Sequence, residues 1–215
     1  MMALLAKALL AYLLGSVIGS LLIGRLRGGI DIRTLGSGNA GGTNALRTQG
    51  RAFAFWVMLI DIGKGWLAAG PLAAARLPAI DVSPHWQAWS VPVCGIAVIL
   101  GHIYPLWYAF RGGKGVATLI GTVLGAAPLL LAPMLAVWLA TVMLCGYVGL
   151  ASMLGAVTLA VLAGRHGAHG PLLSFAVLAA ALIVFTHRSN IARMRAGTEP
   201  RARRLWLFAP RARSS

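Results

Sequence analysis

Three polar, glycine-containing segments of the sequence combine residue types that bind anions. The first runs from Gly36 to Asn44 and is followed by Arg47. Glycines let backbone N–H groups approach an anion, and an arginine presents a planar fork that suits phosphate oxygens. A flexible interfacial loop is the alternative, but such a loop rarely needs two asparagines and a following arginine. The predicted phosphate-binding residues are Ser37, Gly38, Asn39, Thr43, Asn44 and Arg47.

The second segment ends in Gly112-Gly113-Lys114-Gly115, which places a cation among exposed backbone amides. It is not a nucleotide-binding P-loop, because no Ser or Thr follows Lys114 and the required upstream glycine is missing. We therefore do not expect ATP hydrolysis, and we predict that Gly112, Gly113 and Lys114 contact a substrate anion. His102, earlier in this segment, is more typical of a packed histidine than of a catalyst.

The third segment runs from His187 to Arg193. On a helix, His187 and Asn190 are three residues apart and share a face. Histidine is the usual proton carrier near neutral pH, so this pair is a candidate for catalysis. A basic flank of the last membrane span is the alternative, and it fits the later arginines better than it fits His187 and Asn190.

The composition indicates that lipid is the solvent of this chain. Of its 215 residues, 59% are hydrophobic and 11% are charged, whereas a soluble domain carries about 25% charged residues. The net charge of +15 would suggest nucleic acid in a soluble protein, but here the basic residues lie between apolar stretches. We expect no nucleic-acid partner. Cys94 and Cys145 both lie in apolar stretches and are interpreted as small hydrophobic residues.

The apolar stretches predict a polytopic, all-α integral membrane protein. A span needs roughly 20 apolar residues, and 2–24, 52–75, 86–110 and 171–186 are the predicted spans. The uncharged run 116–164 is too long for one crossing, and we expect Pro128, Pro133 and Gly146 to break it. Asp61 and Lys64, three residues apart within a span, are interpreted as an internal pair or as support for the site, with direct catalysis as the alternative.

The distribution of Lys and Arg predicts the orientation. Segments 25–51, 111–114 and the region from 187 onward hold most of the basic residues, so all three are expected in the cytoplasm. The N-terminus is then outside and the C-terminus inside, which requires an odd number of spans. The run 116–164 crosses once or three times; its length favours three, and we predict a bundle of about seven short transmembrane helices. We expect one domain over 1–200 and a basic cytoplasmic tail over 201–215.

The three segments together resemble the signatures of a known enzyme family. The matching stretches lie at 37–44, 101–105 with 110–118, and 187–193 with Gly197 and Glu199. They resemble the bacterial acyl-phosphate:glycerol-3-phosphate acyltransferases, the PlsY family. The resemblance is ordered and extends from Gly15 to Glu199. The family's weaker central signature is less well matched, because Gly149 stands where another serine is expected.

The resemblance implies a reaction. An acyl group would move from a long-chain acyl phosphate to the 1-hydroxyl of glycerol 3-phosphate, giving lysophosphatidic acid and phosphate in phospholipid synthesis. The donor is already activated, so no metal or cofactor is expected. The implied location is the bacterial inner membrane, with the site facing the cytoplasm. Membrane lipid and the enzyme that supplies acyl phosphate are the implied partners.

The resemblance also implies roles for individual residues. Ser37, Thr43 and Asn44 would line the donor-phosphate loop, while Arg47 and Lys114 would hold the substrate phosphates. Glycerol 3-phosphate would be positioned by the third segment, and Ser152 would join the binding site. The implied catalytic residues are Lys114, His187 and Asn190. The base is either His187 or a phosphate oxygen of the donor, and we favour the phosphate, with His187 orienting the acceptor.

Other functions fit the sequence less well. None of the five histidines is followed five residues later by aspartate, which excludes the His-x-x-x-x-Asp acyltransferases. The four scattered acidic residues cannot supply the aspartate cluster of a CDP-alcohol phosphotransferase. A transporter of a phosphorylated solute would suit charges within spans, but the sequence shows no obvious inverted repeat.

Overall fold

The computed structural model describes residues 1–76, 84–165 and 170–209, and the regular secondary structure of these residues is helical throughout. This confirms the predicted all-α class. Residues 77–83, between the predicted spans 52–75 and 86–110, and the last six residues of the predicted tail lie outside these ranges. The α-helices are α1 Met2–Gly15, α2 Gly19–Leu26, α3 Gly42–Gln49, α4 Arg51–Leu67, α5 Pro84–Gln87, α6 Ser90–Ile103, α7 Val116–Ala126, α8 Leu131–Cys145, α9 Val148–Arg165, α10 Pro171–Thr186 and α11 Arg188–Arg195.

Several of these helices are long and apolar enough to cross a bilayer. Four candidate spans are Arg51–Leu72, Ser90–Tyr108, Pro128–Cys145 and Val148–Arg165. The pairs α1–α2 and α10–α11 each qualify as one span bent by 46° and 51°, respectively, and α7 is a shorter apolar helix. The described residues thus hold up to six candidate spans, besides α7. The predicted count of about seven stays a prediction, as does the orientation.

The long uncharged run 116–164 forms three helices, α7, α8 and α9. Pro128 opens a short 3-10 turn between the first two, and Gly146, with φ +77°, separates α8 from α9. The left-handed conformation of Gly146 is one that a residue with a side chain rarely adopts. Pro133 does not break the run, because it lies in the first turn of α8, where proline is tolerated.

Glycines bring the central helices into close contact. A Cβ atom at Gly101 of α6 would lie 2.2 Å from the Tyr12 carbonyl oxygen of α1. At Gly121 of α7 it would lie 1.9 Å from the Ile62 carbonyl oxygen of α4. Small residues allow such approaches, which supply packing where lipid removes the hydrophobic drive between helices.

A buried ionic cluster, formed by Asp61, Lys64 and His102, joins these helices. The Lys64 Nζ atom lies 2.9 Å from Asp61 Oδ1 and 2.9 Å from His102 Nδ1. It also donates to the carbonyl oxygens of Gly15 at 2.9 Å and Val17 at 2.7 Å. Those carbonyls lie where the chain bends between α1 and α2, so Lys64 stabilises this bent connection. The predicted internal pair of Asp61 and Lys64 is confirmed.

Candidate active site

One open cleft, with a volume of about 330 Å³, gathers residues from all three polar segments. It lies where the loop before α3, the loop before α7 and the junction of α10 with α11 meet. The lining residues are Ser37, Gly38, Asn39, Ile103, Tyr104, Arg111, Gly112, Gly113, Lys114, Thr186, Arg188, Ser189 and Arg193.

The first wall of the cleft is a loop that Asn44 organises from within. Asn44 is 2% exposed, and its Oδ1 atom accepts a hydrogen bond from the Ser37 backbone N–H at 3.0 Å. Its Nδ2 atom donates to the carbonyl oxygens of Ile32 at 2.9 Å and Leu35 at 3.0 Å. Asn44 therefore folds the loop around itself and presents Ser37 to the cleft.

The second wall is the loop that carries Lys114, which lies directly against the end of α6. The Gly112 N–H donates to the Ile103 carbonyl at 3.1 Å, and the Gly113 N–H donates to the His102 carbonyl at 3.0 Å. A Cβ atom at Gly113 would lie 2.2 Å from His102 Nε2, and one at Gly112 would lie 2.0 Å from the His102 carbonyl oxygen. Glycine is required at both positions because the loop lies directly on His102.

Hydrogen bonds connect Lys114 to the third segment. The Lys114 ammonium donates to Asn190 Oδ1, and Asn190 Nδ2 donates to Glu199 Oε1 at 2.6 Å. Arg193 Nε donates to Glu199 Oε2 at 2.6 Å. Thr186 Oγ1 donates to the Lys114 carbonyl at 3.1 Å. Glu199 thus neutralises Arg193 and orients Asn190, while Lys114 is held from both the backbone and the side chain.

The cleft is strongly electropositive. Arg111, Lys114, Arg188 and Arg193 line it, and none of the described lining residues is acidic. Burial lowers the pKa of Lys114 to about 8; the positive charge of Arg193 adds to this effect, Glu199 opposes it, and Arg47 adds a smaller lowering. A bound phosphate would relieve this repulsion, since opposite charge favours the ammonium form. The arrangement is suited to binding phosphate dianions.

Some predicted site residues line the cleft and others do not. The predicted residues that line it are Ser37, Gly38, Asn39, Gly112, Gly113 and Lys114. Asn190 is not in the lining, but it accepts a hydrogen bond from Lys114. Asn44 lies beneath the first loop of the cleft. Arg47 and Thr43 are exposed on α3 beside the same loop, with Arg47 close enough to influence Lys114 electrostatically. Their predicted roles in binding stay predictions.

His187 and Ser152 are buried outside the cleft lining. His187 is 3% exposed, and its Nδ1 atom lies 2.7 Å from the Ile183 carbonyl oxygen. Since a carbonyl only accepts, Nδ1 carries the proton and Nε2 is the free acceptor. Ser152 lies in a separate, small apolar depression, where its Oγ atom accepts from Trp138 Nε1 at 3.4 Å. The roles predicted for both residues stay predictions.

Seven of the described lining residues were not among the predicted site residues. They are Ile103, Tyr104, Arg111, Thr186, Arg188, Ser189 and Arg193. A signal for two of them is in the sequence, because Ser189 and Arg193 are four residues apart and share one face of α11. Within the described residues, no group of three or more His, Cys, Asp or Glu residues could hold a metal ion.

Comparisons with known proteins agree on one family. A family model described as glycerol-3-phosphate acyltransferase matches residues 5–197. A glycerol-3-phosphate acyltransferase of Geotalea daltonii is 41% identical over 189 residues, covering 88% of this chain and 92% of the relative. One of Bacillus cytotoxicus is 40% identical over 195 residues, with 90% and 92% coverage.

Solved structures are similar over almost the whole chain. The crystal structure of PlsY, an integral membrane glycerol 3-phosphate acyltransferase, in its glycerol 3-phosphate form has a TM-score of 0.82 and 34% identity. The similarity covers 92% of this chain and 94% of that one. The lysophosphatidic acid form gives a TM-score of 0.80 at the same identity and coverage.

Proposed function

The chain belongs to the glycerol-3-phosphate acyltransferase family, and from that premise we propose its donor, acceptor atom and product. The acyl group of a long-chain acyl phosphate is transferred to the 1-hydroxyl of glycerol 3-phosphate. Lysophosphatidic acid and inorganic phosphate are released. The observation that carries this proposal is the cleft, whose described lining is rich in cations and lacks acidic side chains.

The cleft suits two phosphate-bearing substrates rather than one. The first loop contributes Ser37 and Gly38 to the lining, and α11 contributes Arg188, Ser189 and Arg193. Lys114 stands between them, bonded to Asn190. We assign the donor phosphate to the first loop and glycerol 3-phosphate to the side of Asn190, so that Lys114 contacts both.

A small apolar depression is the proposed contact for part of a long acyl chain. It is lined by α7, α8 and α9 and includes Val116, two residues beyond Lys114. Its volume is about 10 Å³, so we assign only a short stretch of the chain to it, beside Trp138 and Ser152, and the remainder to lipid. Burial of the chain removes apolar surface from water.

The proposed chemistry needs positioning and charge stabilisation. The acceptor hydroxyl attacks the acyl carbonyl, the carbonyl–phosphate C–O bond breaks, and the hydroxyl proton moves to an oxygen of the leaving phosphate. Negative charge that develops on the carbonyl is stabilised by fixed donors such as the Lys114 ammonium. Holding both substrates in line lowers the barrier further. His187 is assigned to orienting the acceptor, because it lies between Thr186 and Arg188, which both line the cleft.

We further propose that the protein lies in the bacterial inner membrane, with the cleft facing the cytoplasm. The basic segments that form the cleft favour this side. The predicted seven spans, the single domain over 1–200 and the tail over 201–215 belong to the same proposal. An enzyme that makes acyl phosphate is its expected supplier of donor.

The test uses purified protein in detergent with glycerol 3-phosphate and either palmitoyl phosphate or palmitoyl-CoA. We expect lysophosphatidic acid and stoichiometric phosphate with the first donor and no product with the second. Comparable turnover of palmitoyl-CoA would overturn the donor assignment. Absence of product from both donors, with solute uptake into sealed vesicles, would favour a transporter instead.

A further inference from the structure

The C-terminal segment Pro200–Leu207, which we call the strap, turns back from α11 and lies across the end of α8. It follows directly after Glu199, the carboxylate that orients Asn190. The basic composition of this region predicts a solvated tail. In the structure the strap instead makes hydrogen bonds and ring contacts with the turn between α8 and α9.

The strap supplies donors to the end of α8. The last turn of an α-helix leaves carbonyl oxygens without intrahelical partners. Three donors of the strap fill this need at and just beyond the end of α8. The bonds are Leu207 N–H to the Met143 carbonyl at 3.0 Å, Trp206 Nε1 to the Leu144 carbonyl at 3.2 Å, and Ala202 N–H to the Gly146 carbonyl at 2.8 Å.

Arg201 fixes the strap to the turn through its guanidinium group. The Arg201 Cζ atom lies 4.7 Å from the ring centroid of Tyr147 and 4.1 Å from that of Trp206. A cation held between two rings is attracted by both, and it also complements the partial negative charge at the end of α8. Gly146 leaves room for this packing, because a Cβ atom there would lie 3.1 Å from Arg201 Cβ.

Both ends of this contact lead to Asn190. On one side, Tyr147 lies two residues before Gly149, where an added Cβ atom would come within 2.8 Å of Asn190 Nδ2. On the other side, Glu199 lies two residues before Arg201 and accepts from Asn190 Nδ2 at 2.6 Å. The Asn190 amide is therefore held between two elements that the strap connects.

We propose that Arg201 and Trp206 are positioning residues for the acceptor. By docking the strap on the turn, they hold Glu199 and the start of α9 against Asn190, which presents its amide beside Lys114. The inference rests on the proposed assignment of glycerol 3-phosphate to the side of Asn190. Neither Arg201 nor Trp206 lines the cleft, so both act through Asn190.

The experiment compares Arg201→Ala with Arg204→Ala in the full-length protein. Arg204 lies on the same segment and is exposed, so its removal changes the net charge equally. Glycerol 3-phosphate affinity is measured by calorimetric titration, and KM is measured for each substrate. We expect Arg201→Ala to weaken glycerol 3-phosphate binding by about threefold to tenfold, from the loss of two cation–ring contacts. The KM for the donor should be unchanged, and Arg204→Ala should match the parent.

Conservative variants separate positioning from general stability. Arg201→Lys keeps a cation between the rings and should recover part of the affinity. Trp206→Phe keeps a ring but removes the donor to Leu144, so it should lose less affinity than Arg201→Ala. It also serves as the test if Arg201→Ala does not fold. These variants are read together with the unfolding midpoint in detergent.

Three results would overturn the proposal. They are parental affinity in Arg201→Ala, an equal loss in Arg204→Ala, and an equal loss for both substrates accompanied by a lowered unfolding midpoint. A parent that binds glycerol 3-phosphate without consuming palmitoyl phosphate would refute the donor assignment alone. The titration of the strap variants would still decide the present inference.

Discussion

Charged side chains have different roles in two neighbouring regions of the protein, the buried ionic cluster and the cleft. In the buried ionic cluster, Lys64 is 3% exposed and finds all its acceptors within the protein. In the cleft, the described residues give Lys114 one side-chain acceptor, Asn190, and further cations line the same cleft. The first region pairs its lysine with a carboxylate and carbonyl oxygens and so holds helices together, whereas the second leaves positive charge for a ligand.

The two regions meet at His102. Its ring contacts Lys64 on one side and supports Gly113 on the other. The position of the His102 ring therefore determines how closely the loop that carries Lys114 approaches α6. A buried lysine with carboxylate and carbonyl partners, such as Lys64, is structural, whereas Lys114, whose side-chain acceptor is a neutral amide, is available for substrate. Variants in each region test this division.

The largest effect on stability is expected for Lys64→Met. This change leaves the Asp61 carboxylate buried without its lysine partner, although the Gly19 N–H still donates to it, and frees the carbonyls of Gly15 and Val17. Removing one member of a buried pair costs about 3–5 kcal/mol, which is a large part of the stability of a typical domain. Tryptophan fluorescence during heating in detergent should show a much lower unfolding midpoint.

A double variant serves as the control for this prediction. Asp61→Leu combined with Lys64→Met removes both charges and should recover part of the lost stability, because no unpaired ion remains. Recovery stays incomplete since the carbonyls of Gly15 and Val17 still lack a donor. A parental midpoint in Lys64→Met alone would contradict a structural role for the cluster.

The largest effect on rate with little effect on stability is expected for Lys114→Ala. Its ammonium is the cation nearest to both proposed phosphates, and a charged hydrogen bond is worth roughly 1.5–3 kcal/mol. The initial rate of phosphate release should fall about tenfold to hundredfold or more. Arg204→Ala, with the same loss of charge, should keep the parental rate. A near-parental rate in Lys114→Ala would remove the main support for the site.

Much of the difference between the buried ionic cluster and the cationic cleft could be predicted from the sequence, because it depends on local patterns. The three polar segments separated by apolar stretches predicted a membrane protein and a shared cationic site. The spacing of Asp61 and Lys64 predicted their pairing. Lys114 was identified from its flanking glycines, and the cleft does gather residues from all three segments.

The parts that could not be predicted depend on contacts between residues far apart in the chain. Asn44 was expected to bind substrate, yet its amide is engaged by the backbone of the preceding loop. His102 joins the ionic cluster only because α6 packs near α4. Glu199 contacts Asn190, and the strap contacts α8. No periodic pattern in the sequence indicates either contact. A short basic segment reads as a solvated tail unless its docking surface is known.

The contact between the two regions is tested by Gly113→Ala. An added Cβ atom would lie 2.2 Å from His102 Nε2, so the loop must shift and carry Lys114 with it. Misplacement of a catalytic group by about 1 Å can cost about a hundredfold in rate, and we expect about a tenfold loss of kcat/KM. Gly63→Ala is the matched control, because a Cβ atom there meets nothing within 4 Å. Equal activity of the two variants would contradict the coupling of cluster and loop.

The smallest effect, a shift in pH dependence, tests whether the charge of Arg47 lowers the pKa of Lys114. Burial and neighbouring arginines lower the pKa of Lys114 to about 8, so its ammonium is present below that pH and is lost above it. The kcat/KM, which reports the free enzyme, should therefore decline above pH 8. In Arg47→Gln the overall rate falls, but loss of one repelling charge raises the pKa of Lys114 and moves the decline to higher pH.

The profiles are measured from pH 6.5 to about 10, with the rate of donor hydrolysis without enzyme subtracted. Arg204→Gln should leave the decline where the parent has it. A decline at the same pH in parent and Arg47→Gln would show that Arg47 does not contribute to the field at Lys114, and a flat profile would contradict the role of the Lys114 ammonium.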